Sequence, residues 1–376
     1  MTRSLSQDSK HEAPRLALSA LAVHRRPSVK SEIKSPEGSQ TLPHPKSVAS
    51  NRSGRPPAWR KATPVLLEPE TSVDDAIAII LAACTAHWRD NLAAAIDGRQ
   101  PEGTHQVRVG LRRLRSALSV FKKYIPAAQR AALNAEAAWM LTQLGPARDL
   151  DVFIENLAAP PASRVSEDAS LAQLIRAARR ARTKAHTIAV KALRGPRAAR
   201  FSTRLETWIS GHGWRSETPE EVHDPRKDRV DDFARRCVNR RMRNIRGDYD
   251  DVETLATAQR HELRIAVKKV RYGLEFFQAV LPAKRMRQLA SSLKQIQGNL
   301  GYLNDIDLAE RTVSALVNAG ATGTERRQIA AGGSIVSAWH KDAAAAAEPE
   351  MLKLWRKMKK VPAFKRAALP DAISTL

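Results

Sequence analysis

Cysteine is nearly absent from this chain: Cys84 and Cys237 are the two in 376 residues. Neither a disulfide framework nor a cysteine-based zinc site can organise the fold. Aromatic residues make up 5%, few for a reader of single-stranded nucleic acid, which stacks bases on aromatic rings. No apolar run approaches the roughly 20 residues needed to cross a bilayer. Leu16–Val23 is short, is broken by Ser19 and lacks the flanks of a signal peptide despite its Ala20-x-Ala22 pattern. A phosphate-cradling Gly-x-x-x-x-Gly-Lys-Ser/Thr loop, a His-Glu-x-x-His zinc helix and a nucleophile elbow are all missing, as is any β-rich stretch. These absences lead to the expectation of an all-α, cytoplasmic binding protein that is not an enzyme and carries no cofactor or metal. Acid is also in deficit. Against 63 Lys and Arg stand 39 Asp and Glu, a formal net charge of +24. That excess points to a polyanionic partner (nucleic acid, polyphosphate or an anionic membrane) without choosing among them.

What is present is a repeat. HQVRVGLRRLRSALSVFKKYIP (105–126) and HELRIAVKKVRYGLEFFQAVLP (261–282) align without a gap at an offset of 156, and the same offset aligns LGPARDLDV (144–152) with LGYLNDIDL (300–308). At helical pitch, Val107, Leu111, Leu114, Leu118 and Phe121 form one apolar stripe, and Leu263, Val267, Val270, Leu274 and Phe277 form its counterpart. A second arc collects His105, Arg108, Arg112, Arg115 and Lys123, and in the other repeat His261, Arg264, Lys268 and Arg271. Arg113 and Lys269 lie to the side within reach of the same surface, and Tyr272 points near it. Like charges one turn apart cost a few tenths of a kcal/mol per pair, by rough estimate. A solvated basic face explains one such helix alone. The same register carried twice suggests an anion that both helices meet.

The order of elements follows from capping and breakers. Residues 1–70 hold nine of the 21 prolines and no sustained periodicity, the pattern of a disordered basic tail. Ser72 is placed to cap a helix over Val73–Ile96 whose first turn carries Asp74 and Asp75. The matching Val-Asp-Asp at 230–232 extends the duplication upstream. Helices are expected over Leu133–Leu144, ending at Gly145-Pro146, from Leu150 to Leu157, over 170–194 and over 198–209, with a loop at 158–169. The halves divide into 71–212 and 228–365, joined by a linker at 213–227 and followed by a tail at 366–376. Asp149, Asp151, Asp305 and Asp307 invite a metal reading, but residues i and i+2 of a helix face opposite sides and cannot chelate together. Asp149 and Asp305 are instead expected to cap helices that start after the glycine turns. Asp151 and Asp307 are expected to add first-turn charge, and any of the four can orient an arginine. Further basic runs place Arg179, Arg236, Arg240 and Arg243 as additional contacts; solvated helix faces explain these equally well.

A His-x-x-Arg-Val/Ile-x-x-Arg/Lys-Arg/Lys-x-Arg helix, found twice and each time followed by Leu-Gly-x-x-x-Asp-x-Asp, resembles the CHAD domain, the conserved histidine α-helical domain. The likeness spans about residues 71–365. It implies two pseudo-symmetric four-helix bundles, a central groove lined with bases, and binding of inorganic polyphosphate, with location at polyphosphate granules as the consequence. Carried over by position, the family's signature falls on His105, Arg108, Arg112, Arg113 and Arg115, then on His261, Arg264, Lys268, Lys269 and Arg271. Lysine replaces arginine at two of these positions in the second repeat, which exchanges a bidentate fork for a point charge. The Glu-x-Glu-x-Lys signature of the CYTH triphosphatase domain, sometimes joined to CHAD domains, is absent. The competing reading of the same charge is a nonspecific nucleic-acid binder, or a scaffold on a granule surface.

Overall fold

Ser72 opens the helical part of the chain as its position requires. Its hydroxyl oxygen accepts the Asp75 amide at 3.0 Å, at the start of α1 (Val73–Asp90). Asp74 turns inward and accepts from Trp214 Nε1 at 2.7 Å and from Arg215. The computed structural model describes residues 54–164, 168–215, 224–249, 252 and 255–365. The helices that follow are α2 (Leu92–Asp97), α3 (Pro101–Val120), α4 (Ala127–Val152), α5 (Ala159–Ala162), α6 (Ala169–Arg194), α7 (Pro196–Ser210), α8 (Val230–Asp248), α9 (Thr257–Phe276), α10 (Ala283–Asn318) and α11 (Gly323–Lys359). The fold is all-α, with no strand among the described residues. A lone antiparallel bridge ties the two Val-Asp-Asp helix starts together: Val73 N donates to Asp228 O at 2.9 Å and Val230 N to Thr71 O at 2.8 Å.

Several boundaries depart from the sequence expectation, each for a tertiary reason. The single helix expected over Val73–Ile96 breaks at Asn91, which is fully buried and bonds the backbone of Arg60 through both its amide atoms. That contact also ends the tail earlier than expected. Residues 54–70 lie against the helices, with Val65 and Leu67 in the core; residues 1–53 lie outside the described residues, as do 366–376 and most of the expected linker. Gly145-Pro146 does not stop α4. Pro146 faces solvent, where a bend is tolerated, while Met140, Leu144 and Ala147 on either side are buried and hold the helix together. The expected loop at 158–169 is helical as far as Ala162, beginning with a π-helical turn at Phe153–Ala158.

Both predicted apolar stripes are buried along their whole length. They meet where α3 and α9 end. Phe121 stacks on Phe233 of α8 with centroids 5.4 Å apart, and Phe277 stands edge-on to both at 6.3 and 5.8 Å. One continuous core therefore joins residues from both halves and does not divide at the linker. A second, smaller core lies between the π-helical turn, α6, α10 and α11, around Phe153, Leu174, Ile329 and Val336. Gly110 lets α3 press on α1, because a Cβ there would sit 2.7 Å from the Trp88 backbone nitrogen. Removing the ring that bridges α3, α8 and α9, with Phe121→Ala, should lower unfolding free energy by about 3–5 kcal/mol. Urea denaturation followed by circular dichroism measures it.

Candidate functional site

The basic arcs of α3 and α9 converge, since these helices pack against one another. Arg112 is the pivot. Its charge bears on His105 and Arg108 within its own helix, and on Arg264, Lys268 and Tyr272 of α9. Arg108 is anchored from below, donating from Nη1 to the Leu141 carbonyl of α4 at 2.6 Å. Arg271 lies over the Tyr272 ring at 5.8 Å and reaches Glu275 at 3.4 Å. The other cluster cations have no carboxylate within ion-pairing distance among the described residues, so the cluster keeps most of its positive field.

Burial sets the protonation of these groups. Desolvation and then the charges of Arg148, Arg112 and Arg108 push His105 down to about 3, leaving it neutral. Its Nδ1 is buried without a hydrogen-bond partner. Desolvation, followed by Arg264 and Arg112, lowers Lys268 to about 7, and desolvation also brings Arg108 down to about 10. Asp149 on α4 and Asp305 on α10 face this cluster. Burial raises both carboxyls despite the nearby arginines, because no guanidinium hydrogen-bonds them directly and a field alone does not repay desolvation. The site is thus a set of partly desolvated cations from α3 and α9, faced by carboxyls from α4 and α10.

The sequence model of the CHAD domain matches residues 79–314, more than half of the chain. The chain belongs to the CHAD domain family. Among solved structures, the crystal structure of the CHAD domain from the plant Ricinus communis is similar, with a TM-score of 0.69 and 26% identity over 82% of this chain and 99% of that one. PptA from Streptomyces chartreusis shares the fold, with a TM-score of 0.53 and 16% identity over 76% of this chain and 100% of the other. No curated protein matches the sequence.

Within this CHAD domain the sequence-predicted residues do not all meet. His105, Arg108, Arg112, Arg264, Lys268, Arg271 and Tyr272 gather as expected. Arg113 does not: it is 4% exposed, lies over the Phe276 ring at 5.6 Å and approaches Cys84. It faces the core between α1 and α9, where its own helix packs. Lys269, its counterpart, is exposed, and its carbonyl accepts Arg241. Arg115 is exposed and donates to Asn134 at 2.8 Å. His261 is exposed, with Nδ1 3.4 Å from Asn304 Oδ1. Lys123 is exposed beyond the end of α3. Arg236 pairs with Asp228 at 3.1 Å, and Arg240 and Arg243 stand on the exposed face of α8. Arg179 is exposed on α6.

Asp149 and Asp305 are not caps. Because α4 and α10 run through the glycines, both sit in mid-helix and act as internal counter-charges instead. Asp151 also lies inside α4 and pairs with Arg182 at 2.8 Å, so the arginine it orients lies outside the motif. Asp307 is half-buried inside α10, not in a first turn. Arg148 was missed. It reaches His105 and Asp149 and also Asp305 of the other half. The signal was available in the repeat alignment, where Arg148 of LGPARDLDV matches Asn304. The cavity between α10 and α11 is not this site, being lined by Ile306, Ala309, Val313 and Val336 without a Lys or Arg.

An anion bound here favours protonated Lys268. Free Lys268 is largely neutral above its depressed value of about 7, so binding at pH 8 should take up protons and affinity should fall as pH rises from 7 to 9. Calorimetry with long-chain polyphosphate in buffers of different ionisation enthalpy measures the uptake. Lys268→Arg should abolish it.

Proposed function

We propose that this CHAD-domain protein binds inorganic polyphosphate at the α3–α9 cluster, as a binding module and not as a hydrolase. The observation that carries this reading is the convergence of Arg108, Arg112, Arg264 and Lys268 from two helices, partly desolvated and without an ion-paired acid. A chain of linked phosphates supplies closely spaced negative charge along its length, which suits cations arriving from both sides. Arginine forks fix phosphate oxygens, and Lys268 adds a point charge. Neutral His105 can present one ring nitrogen as a donor to a phosphate oxygen. Hydrolysis of phosphoanhydrides generally relies on carboxylates that hold a metal against the anion. Here Asp149 and Asp305 stand on separate helices amid cations, an arrangement that favours tuning of the field. Such binding would place the protein at polyphosphate granules in the cytoplasm.

Replacing Arg108, Arg112, Arg264 and Lys268 by Glu should abolish polyphosphate binding in a protein that remains helical, read by labelled polyphosphate in a filter or anisotropy assay. Unchanged affinity in the folded variant would remove the assignment. The opposite change is equally informative. Asp149→Asn with Asp305→Asn removes internal negative charge and should tighten binding by about tenfold, near 1.4 kcal/mol.

A further inference from the structure

A second basic surface lies on α6 and α7, and the α3–α9 cluster does not account for it. Between Asp168 and Glu206 the chain holds ten Lys or Arg and no Asp or Glu. The buried side of α6 presents Leu171, Leu174, Ala178, Ala185, Ala189 and Leu193. Some of the arginines have partners: Arg182 pairs with Asp151, Arg180 with Glu325 and Arg197 with Glu136, while Arg176 bonds Gln173. Arg179, Lys184, Lys191 and Arg194 on α6, with Arg200 and Arg204 on α7, are exposed and have no acidic side chain within 4 Å among the described residues. Like charges repeated along one helix face destabilise it, so no gain in folding explains their accumulation.

The layout of this face selects among polyanions. The unpaired cations of α6 run from Arg179 to Arg194, about 22 Å at 1.5 Å per residue. A thin flexible chain must be ordered as it binds an exposed helix face, at a cost in conformational entropy. A rigid duplex is already ordered, and its major groove of roughly 12 Å accepts an α-helix. α6 contains no aromatic residue for base stacking, which argues against a single strand. Ile188 is the one large apolar side chain exposed on α6, too little to seat the helix in a lipid interface.

We propose that the exposed face of α6 and α7 docks along the phosphate backbone of a nucleic-acid duplex, independently of base sequence and separately from the α3–α9 cluster. Contacts made by cations to phosphates release counterions, so affinity falls steeply with salt.

The test uses the full chain and a labelled duplex of about 30 base pairs, near three helical turns, with labelled long-chain polyphosphate as the second probe. Reversing four charges, Arg179→Glu, Lys184→Glu, Lys191→Glu and Arg194→Glu, should weaken duplex binding at least tenfold. It should reduce the salt slope by about 3.6, at roughly 0.9 for each of the four lost contacts, and leave polyphosphate affinity within about twofold. Arg112→Glu with Lys268→Glu should do the reverse, so failure at one surface is distinguishable from failure at the other. All six positions changed are read for helicity by circular dichroism, and Arg179→Lys with Arg194→Lys should retain duplex binding. Wild-type duplex affinity in the four-site variant overturns the proposal. So does a parallel loss of polyphosphate binding, which makes the face a general polyanion surface, or tighter binding to phosphatidylserine vesicles than to the duplex, which makes it a membrane contact.

Discussion

Like charges held together out of water are the constraint on which this structure turns. Arg108, Arg112, Arg264 and Lys268 repel one another, and burial penalises Arg108, Arg264 and Lys268 further. Apart from the Arg108 bond to the Leu141 carbonyl, little local attraction holds them in place. The stabilisation comes from behind, where the apolar stripes of α3 and α9 are fully buried and the Phe121–Phe233–Phe277 cluster locks the helix ends. Burying an aromatic ring is worth several kcal/mol, enough to offset a strained electrostatic surface on the opposite side of the same helices. The depressed values of His105 and Lys268 measure that strain.

The two repeats contribute unequally to the cluster. His105 is partly buried and neutral, whereas His261 stands exposed near Asn304. Where the first repeat has Arg148, which reaches across to Asp305, the second has the uncharged Asn304. Arg112 has Lys268 as its counterpart, so one side offers a permanent charge and the other a charge that titrates near neutral pH. Arg113 is absorbed into the core while Lys269 faces solvent. The cluster therefore has arginines on both α3 and α9, and on α9 also a lysine lowered to about 7.

A cation's meaning depends on where the fold leaves it. Arg182, Arg180 and Arg197 belong to basic runs, yet each is committed to an acid on another element. Arg113 sits in the recognition motif and faces the core. Arg179 and its unpaired neighbours on α6 remain outside and unneutralised. Net charge alone weighs all of these equally.

Periodicity and capping chemistry are local properties, so the sequence alone determined the helical class, Ser72 as the first cap, both apolar stripes and the basic arcs of α3 and α9. The repeat alignment also determined which residues correspond between halves. Tertiary structure decided what local rules could not. α4 passes through Gly145-Pro146 because buried neighbours on both sides outweigh a missing hydrogen bond. That continuity moved Asp149 from a cap to the middle of a charged cluster, as the continuity of α10 did for Asp305. Residues 54–70 join the fold because Val65, Leu67 and the Arg60 backbone find partners on distant helices. Lys268 is lowered to about 7 because packing buries it, with the charges of Arg264 and of Arg112, 156 residues away in the chain, adding to the effect.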